Sequence, residues 1–238
     1  MSTDAPLSTR TLLVRHAQAS FGAADYDVLS ARGERQARLL GAWIAAHPHW
    51  RIARVQRGDQ RRHAQTLDAI YDACAAVGRE LPPAEVQADW NEFDHVALFR
   101  CYAERFPEDP RPAALLREPG APGAHHLVRA MLAAWARGDL DASMPESWSA
   151  FATRVRRAFD ALAGTPGYTL VLSSGGAIAR CAQAALDLDV ARTIACNLAL
   201  ANSAISEFRH RGEGWDLVSW NTLPHLAAAE HLPLASHF

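Results

Sequence analysis

The sequence contains no lysine, so all 24 of its Lys and Arg residues are arginine. That absence excludes a Walker A lysine, a pyridoxal Schiff base and a kinase-type lysine, each of which needs an ε-amino group. A phosphate site in this chain has to be built from arginine, histidine and backbone amides. Cysteine is sparse: Cys74, Cys101, Cys181 and Cys196 lie far apart and form no CxxC pair. They read as small buried hydrophobes in a reducing compartment, not as a disulfide framework or a structural zinc site. Apolar runs of about 18 residues are missing, and the opening MSTDAPLSTR has neither the basic nor the apolar region of a secretory leader. We therefore expect a cytoplasmic protein with no membrane partner. The 24 basic and 26 acidic residues are evenly mixed, for a net charge of -2, and no basic arm suggests a nucleic-acid partner. His125 and His126 are adjacent instead of spaced i,i+4, and no carboxylate cluster accompanies them, so no metal or other cofactor is implied.

With 238 residues and 49% apolar content, the chain is long enough to bury a sizeable core. Thr11 to Val14 reads as a strand ending in Arg15-His16, followed by the loop AQASFGAADYD. Ser30 can cap a helix carrying Leu39, Leu40, Trp43 and Ile44 on one stripe. A second strand near Ile52 to Gln56 leads through Gly58 into a helix with Ala64, Leu67, Ile70, Tyr71 and Cys74 on one face. Val86 to Trp90 is expected to be a third short strand. Prolines then cluster at 107, 110, 112, 119 and 122, with a helical piece from about Leu127 to Arg137. A helix follows from Trp148 to Leu162. Tyr168 to Ser173 is the most continuous strand, and Gly175-Gly176 opens another helix, from Ala177 to about Leu186. Ala204 to Arg209 and Trp215 to Trp220 flank Gly212-Glu213-Gly214 as an antiparallel hairpin. Alternating strands and helices predict an α/β fold: three layers, a mostly parallel sheet with helices on both faces. We expect a single domain over 1–238, with a helical and loop insertion at about 95–146 that borders the site.

In such sheets ligands gather beyond the carboxyl ends of the strands. Three inferred strands deliver polar residues there: Arg15-His16, the stretch from Gly58 to Arg62, and Ser173-Ser174-Gly175-Gly176. Arginine offers a planar fork of donors matched to phosphoryl oxygens, and a histidine ring nitrogen can attack phosphorus at neutral pH. The glycines after Ser174 allow backbone amides and a helix start to approach an anion. Arg57, Arg61 and Arg62 lie close together, and spacing alone does not say which of them points inward. A dinucleotide-binding reading lacks a GxGxxG after the first strand.

LLVRHAQAS, residues 12 to 20, resembles the opening signature of the histidine phosphatase superfamily, with Ala17 at its third position. GDQRRHAQTLDAI, residues 58 to 70, is similar to the family's second segment, and registering it on Gln65-Thr66 assigns the second phosphate-binding arginine to Arg62. WNEFDH, residues 90 to 95, resembles the segment carrying the acidic proton donor. Asn202-Ser203 and the stretch from Asn221 to Leu226 are similar to the terminal segments. The resemblance implies a phosphoglycerate mutase-like fold, His16 as the phosphorylated nucleophile, Arg15 and Arg62 as phosphate ligands, and Glu92 as the general acid. Asp94 competes with Glu92 for that last role. Gln18, Ser174, Gly175 and His95 complete the candidate substrate contacts.

One departure stands out. In LVLSSGGAIAR, residues 170 to 180, Ser174 occupies the position where the family usually carries a second histidine. A hydroxyl can donate one hydrogen bond to a phosphoryl oxygen but brings no positive charge. Losing one oriented transition-state donor costs on the order of 10²-fold in rate. His95, His63 and His210 are the candidates to refill the place, His95 first because it follows the Glu92 loop. The expected activity is hydrolysis of a phosphate monoester through a phosphohistidine. The alternative is a weak or inactive relative that binds a phosphorylated ligand or partner, and a mutase is less favoured. The expected partner is a phosphorylated small molecule or phosphopeptide. Arg100, Arg105, Arg111, Arg117 and Arg129 of the insertion are candidates to meet extra negative charge, and the hairpin or the insertion would supply any homodimer interface.

Overall fold

The computed structural model describes residues 9–20, 26–117 and 123–237. Residues 1–8, residues 21–25 of the loop after His16, and Pro119 and Pro122 of the proline cluster lie outside the described residues. In chain order the elements are β1 (Thr9–Arg15), α1 (Ala31–Ala45), β2 (Ile52–Arg57), α2 (Arg61–Ala76), β3 (Ala84–Val86), α3 (His95–Arg105), α4 (Arg111–Arg117) and α5 (Ala124–Ala136). They continue with α6 (Trp148–Asp160), β4 (Gly167–Ser173), α7 (Gly175–Leu186), α8 (Val190–Ala199), β5 (Ile205–His210) and β6 (Trp215–Thr222).

Leu12, Leu13 and Val14 of β1 are all fully buried. Side chains alternate across a sheet, so only a central strand covered on both faces can bury such a run. β1 accordingly pairs in parallel with β4 and antiparallel with β5, in the order β3-β2-β4-β1-β5-β6. β1 to β4 form a parallel block, and the β5–β6 hairpin adds an antiparallel edge. The sheet is thus mixed, within the expected α/β class.

The two faces sort their side chains by this alternation. Leu12, Val14, Leu170 and Leu172 pack with Leu40 and Ile44 of α1 and Leu67 and Ile70 of α2. Leu13, Val171 and Phe208 point the other way, into a cluster with Phe151 and Phe159 of α6, Ile178 of α7 and Leu198 of α8. Leu98, Cys101, Leu127, Met131 and Trp135, from the 95–146 segment, belong to that same cluster. The segment therefore shares its core with one face of the sheet.

Ser30 caps α1 as expected, its hydroxyl accepting from Gly33 N at 3.1 Å. Two expectations need correction, and the insertion gains detail. The third strand is Ala84–Val86 and not Val86 to Trp90, because Ala88–Trp90 turns into a 3-10 helix that buries Trp90 completely. Its indole N–H donates to Gln56 Oε1 at 2.8 Å. The proline-rich stretch holds a helix of its own, α4, and α3 precedes it with Asp94 as its cap. Finally, Cys196 is only half-buried, whereas Cys74, Cys101 and Cys181 are buried, and all four are free thiols.

Candidate active site

The carboxyl ends of β1, β2 and β4 converge on His16. Its backbone is held from both sides: His16 N donates to Ser173 O at 2.9 Å, and its carbonyl accepts from Ser203 N at 3.2 Å. The ring is oriented as firmly. Nδ1 lies 2.7 Å from the carbonyl of Ala17, which can only accept, so Nδ1 carries the hydrogen. Nε2 is then a bare lone pair, and it accepts from Arg62 Nε at 3.2 Å. Burial, reinforced by Arg62, His63 and Arg15, holds the imidazole well below the ordinary histidine range. The ring is neutral and its Nε2 is nucleophilic.

Arg62 is the arginine of its cluster that faces inward, 3% exposed, while Arg61 is exposed and Arg57 reaches the carbonyl of Gly58. Its remaining nitrogens are engaged too: NH1 donates to Asp27 Oδ1 at 2.6 Å and NH2 to Gln60 Oε1 at 2.8 Å. Its guanidinium also lies 5.3 Å from the Tyr26 ring centre. The residues that register this segment have structural tasks. Thr66 Oγ accepts from Ala17 N at 3.1 Å and donates to Arg62 O at 2.7 Å, and Gln65 Oε1 accepts from Leu29 N at 2.8 Å. Together they lock α2 to the loop that follows His16.

Arg15 donates through NH1 to the carbonyl of Leu200, while its buried Nε has no hydrogen-bond partner among the described residues. Burial works against its charge, and Glu92 and Tyr26 work for it. Glu92 is set by the start of α7, where Gly176 N donates to its Oε2 at 2.9 Å. Burial is the larger influence and pushes the carboxyl up, against the Gly176 amide, Arg62 and Arg15. Glu92 thus retains a proton further toward neutrality than an exposed glutamate. Gly176 is required by this contact: a Cβ there would come within 2.2 Å of Glu92 Oε1. Gly175 lies beneath Arg15, where a Cβ would be 3.7 Å from the guanidinium carbon. The loop bearing Glu92 is itself braced, since Ser173 Oγ donates to Trp90 O at 2.6 Å and Arg154 donates to Asn91 O at 2.9 Å.

Arg15, His16, Arg62, Glu92, Ser174 and Gly175 are therefore brought together. Asp94, the competing acid, is instead exposed and accepts from Ala97 N at the cap of α3. Gln18 lies at the start of α1, where its Oε1 accepts from Ser30 Oγ at 2.9 Å. His95 sits on the rim with its ring 4.5 Å from that of Tyr26, and burial followed by Arg62 lowers it. The histidine that reaches Ser174 is not His95 but His63, at 2.7 Å from Nε2 to Oγ. His210 is at the opposite end of the sheet, paired with Thr9. Of the insertion arginines, Arg100, Arg105, Arg111 and Arg117 are exposed, and Arg111 closes on Asp109.

The sequence did not single out Tyr26, Asp27 or Gln60. Gln60 Oε1 accepts from both Arg62 NH2 and Glu92 N, bridging the second and third polar segments. Its place inside the Gly58 to Arg62 stretch was the available signal. Among the described residues no group of three or more His, Cys, Asp or Glu side chains is arranged to hold a metal, and no helix is long and apolar enough to cross a membrane.

Comparison with known proteins bears on this geometry. The model of the histidine phosphatase superfamily (branch 1) matches residues 121–223, a stretch that includes Ser174 but none of the Arg15, Arg62 and Glu92 segments. No curated protein sequence matches the chain. Solved structures do. Phosphoglycerate mutase from Bacillus anthracis is 16% identical, with a TM-score of 0.63 over 92% of this chain and 96% of its own. A mycobacterial glucosyl-3-phosphoglycerate phosphatase is 22% identical, with a TM-score of 0.58 over 90% and 99%. A phosphoserine phosphatase from Entamoeba histolytica, in complex with phosphoserine, is 16% identical, with a TM-score of 0.59 over 91% and 98%. At these identities the likeness is one of fold. The chain thus carries the sequence pattern of histidine phosphatase superfamily branch 1 over residues 121–223, within a phosphoglycerate mutase-like fold.

Proposed function

We propose that this protein hydrolyses a phosphate monoester through a phosphohistidine on His16. The observation that carries the reading is the orientation of that ring, with Nδ1–H committed to Ala17 and the Nε2 lone pair accepting from Arg62 Nε. His16 Nε2 attacks phosphorus as Arg62 Nε transfers its hydrogen bond to a phosphoryl oxygen. The P–N bond forms, the P–O bond to the alcohol breaks, and the Glu92 carboxyl gives its proton to the departing oxygen. A water then attacks phosphorus and returns a proton to the Glu92 carboxylate. The P–N bond breaks, and inorganic phosphate leaves with His16 restored. Arg15 and Arg62 oppose the charge that gathers on the equatorial oxygens.

In this reading the substrate is a phosphorylated small molecule or phosphopeptide. The phosphatases among the structural neighbours support hydrolysis, and a mutase is less favoured because among the described residues nothing speaks for guarding a phosphohistidine from water. Turnover of p-nitrophenyl phosphate tests the reading, together with acid-labile phosphate trapped on the wild type and missing from His16→Ala. Turnover surviving that substitution would defeat the covalent route. A second reading, ligand binding with little turnover, draws on one observation: every nitrogen of the Arg62 guanidinium is already engaged, by His16, Asp27 and Gln60. Tight binding of vanadate without turnover would favour it.

A further inference from the structure

Ser174 is the cap residue of α7, the position from which a serine hydroxyl ordinarily accepts a hydrogen bond from the second or third amide of its helix. It makes no such bond. Its Oγ meets His63 Nε2 at 2.7 Å instead, and both residues are fully buried. The backbone makes room for this pairing: a Cβ on Gly58 would stand 2.4 Å from His63 Nδ1, so the ring fits beneath the exit of β2 because residue 58 has no side chain. The His63 ring centre is 5.5 Å from that of His16, and Gly175, next to Ser174, lies beneath Arg15. A buried serine and histidine have therefore been fitted against the nucleophile and helped by neither helix capping nor solvent.

The tautomer gives the pair a direction. His63 Nδ1 has no hydrogen-bond partner among the described residues. A hydrogen on Nδ1 would be an orphaned buried donor, and such donors are rarer in folded proteins than unpaired acceptors. The hydrogen belongs on Nε2, which then donates to Ser174 Oγ. A hydroxyl that accepts through its oxygen keeps its own hydrogen to give away.

We propose that His63 is a positioning residue of this site: it holds Ser174 Oγ as an acceptor, so that the serine hydroxyl donates its hydrogen to a phosphoryl oxygen as the phosphoryl group passes to His16. This rests on the phosphoryl-transfer reading above. No bond to Ser174 forms or breaks. Without His63, the Ser174 oxygen is free to turn to the amides of α7, and the donor is lost from the site.

The test measures kcat and KM for p-nitrophenyl phosphate, with vanadate affinity, in the wild type, His63→Ala, His63→Gln, Ser174→Ala and the double variant His63→Ala with Ser174→Ala. Loss of one oriented donor lowers kcat roughly 10²-fold. The expected result is that fall in His63→Ala and Ser174→Ala alike, with KM changed less than about threefold and no further fall in the double variant, because both remove the same hydrogen bond. Gln can donate from its side-chain amide, so His63→Gln recovers most of the rate. Equal activity of His63→Ala and wild type, additive losses, or a His63→Gln variant as slow as His63→Ala would each overturn the proposal. Should His63→Ala fail to fold, the Ser174→Ala and His63→Gln results decide alone. A wild type that neither turns over the ester nor binds vanadate would remove the phosphoryl-transfer reading and this inference with it. A His16-dependent wild type that His63 substitutions leave unchanged would remove this inference only.

Discussion

Strand β1 carries an arginine at each end, and their surroundings are opposite. Arg10, near the start, pairs with Glu207 and lies 5.7 Å from the Tyr168 ring centre. Its charge is favoured, chiefly by the Glu207 hydrogen bond. Arg15, at the end, is burdened chiefly by burial, reaches the carbonyl of Leu200 through NH1, and keeps a buried Nε that no described residue satisfies. An ion pair at the edge of solvent contributes little and needs nothing more. A buried guanidinium with an unmet donor is costly in the empty protein and becomes favourable only when an anion arrives. The contrast separates an ion-paired arginine from one that the proposed function assigns to anion binding, on the same seven-residue strand.

Substituting each arginine breaks the comparison most sharply. Arg15→Ala is expected to lower kcat/KM for p-nitrophenyl phosphate by roughly 10³-fold, as befits loss of an electrostatic clamp, without lowering the thermal midpoint. Arg10→Ala should leave kcat/KM within about twofold and cost at most about 1 kcal/mol of stability. Equal kinetic effects would mean that Arg15 is only structural.

The next effect is on pH. His16 is lowered and therefore stays neutral well into acid, while Glu92 is raised and stays protonated above the usual carboxylate range. In the proposed mechanism His16 must be unprotonated and Glu92 protonated, so kcat/KM should be highest on the acid side and fall as pH rises through the Glu92 value. Glu92→Gln should reduce the rate by about 10²- to 10⁴-fold and abolish that alkaline fall. Persistence of the fall in Glu92→Gln would assign it to another group.

Smaller effects come from the supports. Gly176→Ala should displace Glu92 and lower both the rate and the thermal midpoint, whereas Gly214→Ala, with nothing within 4 Å of its Cβ, should alter neither. Matching behaviour of the two alanines would show that the Glu92 contact does not constrain residue 176. Asp27→Asn removes the carboxylate from Arg62 and should tighten inorganic phosphate binding by a few fold, read by calorimetry. Unchanged or weaker binding would show that Asp27 does not compete with the anion.

Much of the frame was legible locally. The runs around Leu12 to Val14 and Leu170 to Leu172 announce central strands because an uninterrupted apolar run needs cover on both sides. Ser30 announces α1 because its hydroxyl suits a free helix amide. Ala88 to Trp90 was less legible: its apolar character looks extended, but the indole of Trp90 finds its partner on Gln56, a strand away, and the backbone turns to deliver it. α4 was masked by prolines that a helix tolerates in its first turn, where Pro112 sits.

The sequence by itself determined that any phosphate site here uses arginine and histidine, that the polar groups fall at three strand ends, and that a hydroxyl stands at residue 174. Those are matters of residue type and short-range periodicity. Tertiary structure decided which of Arg57, Arg61 and Arg62 faces His16, which carboxylate lies on the start of α7, and which histidine meets Ser174. Each of those outcomes depends on chain segments distant in sequence meeting at 2.6 to 3.2 Å. Hydrogen bonds act only at that range, and the packing of α2 and the Glu92 loop against β4 is what brings the groups within it.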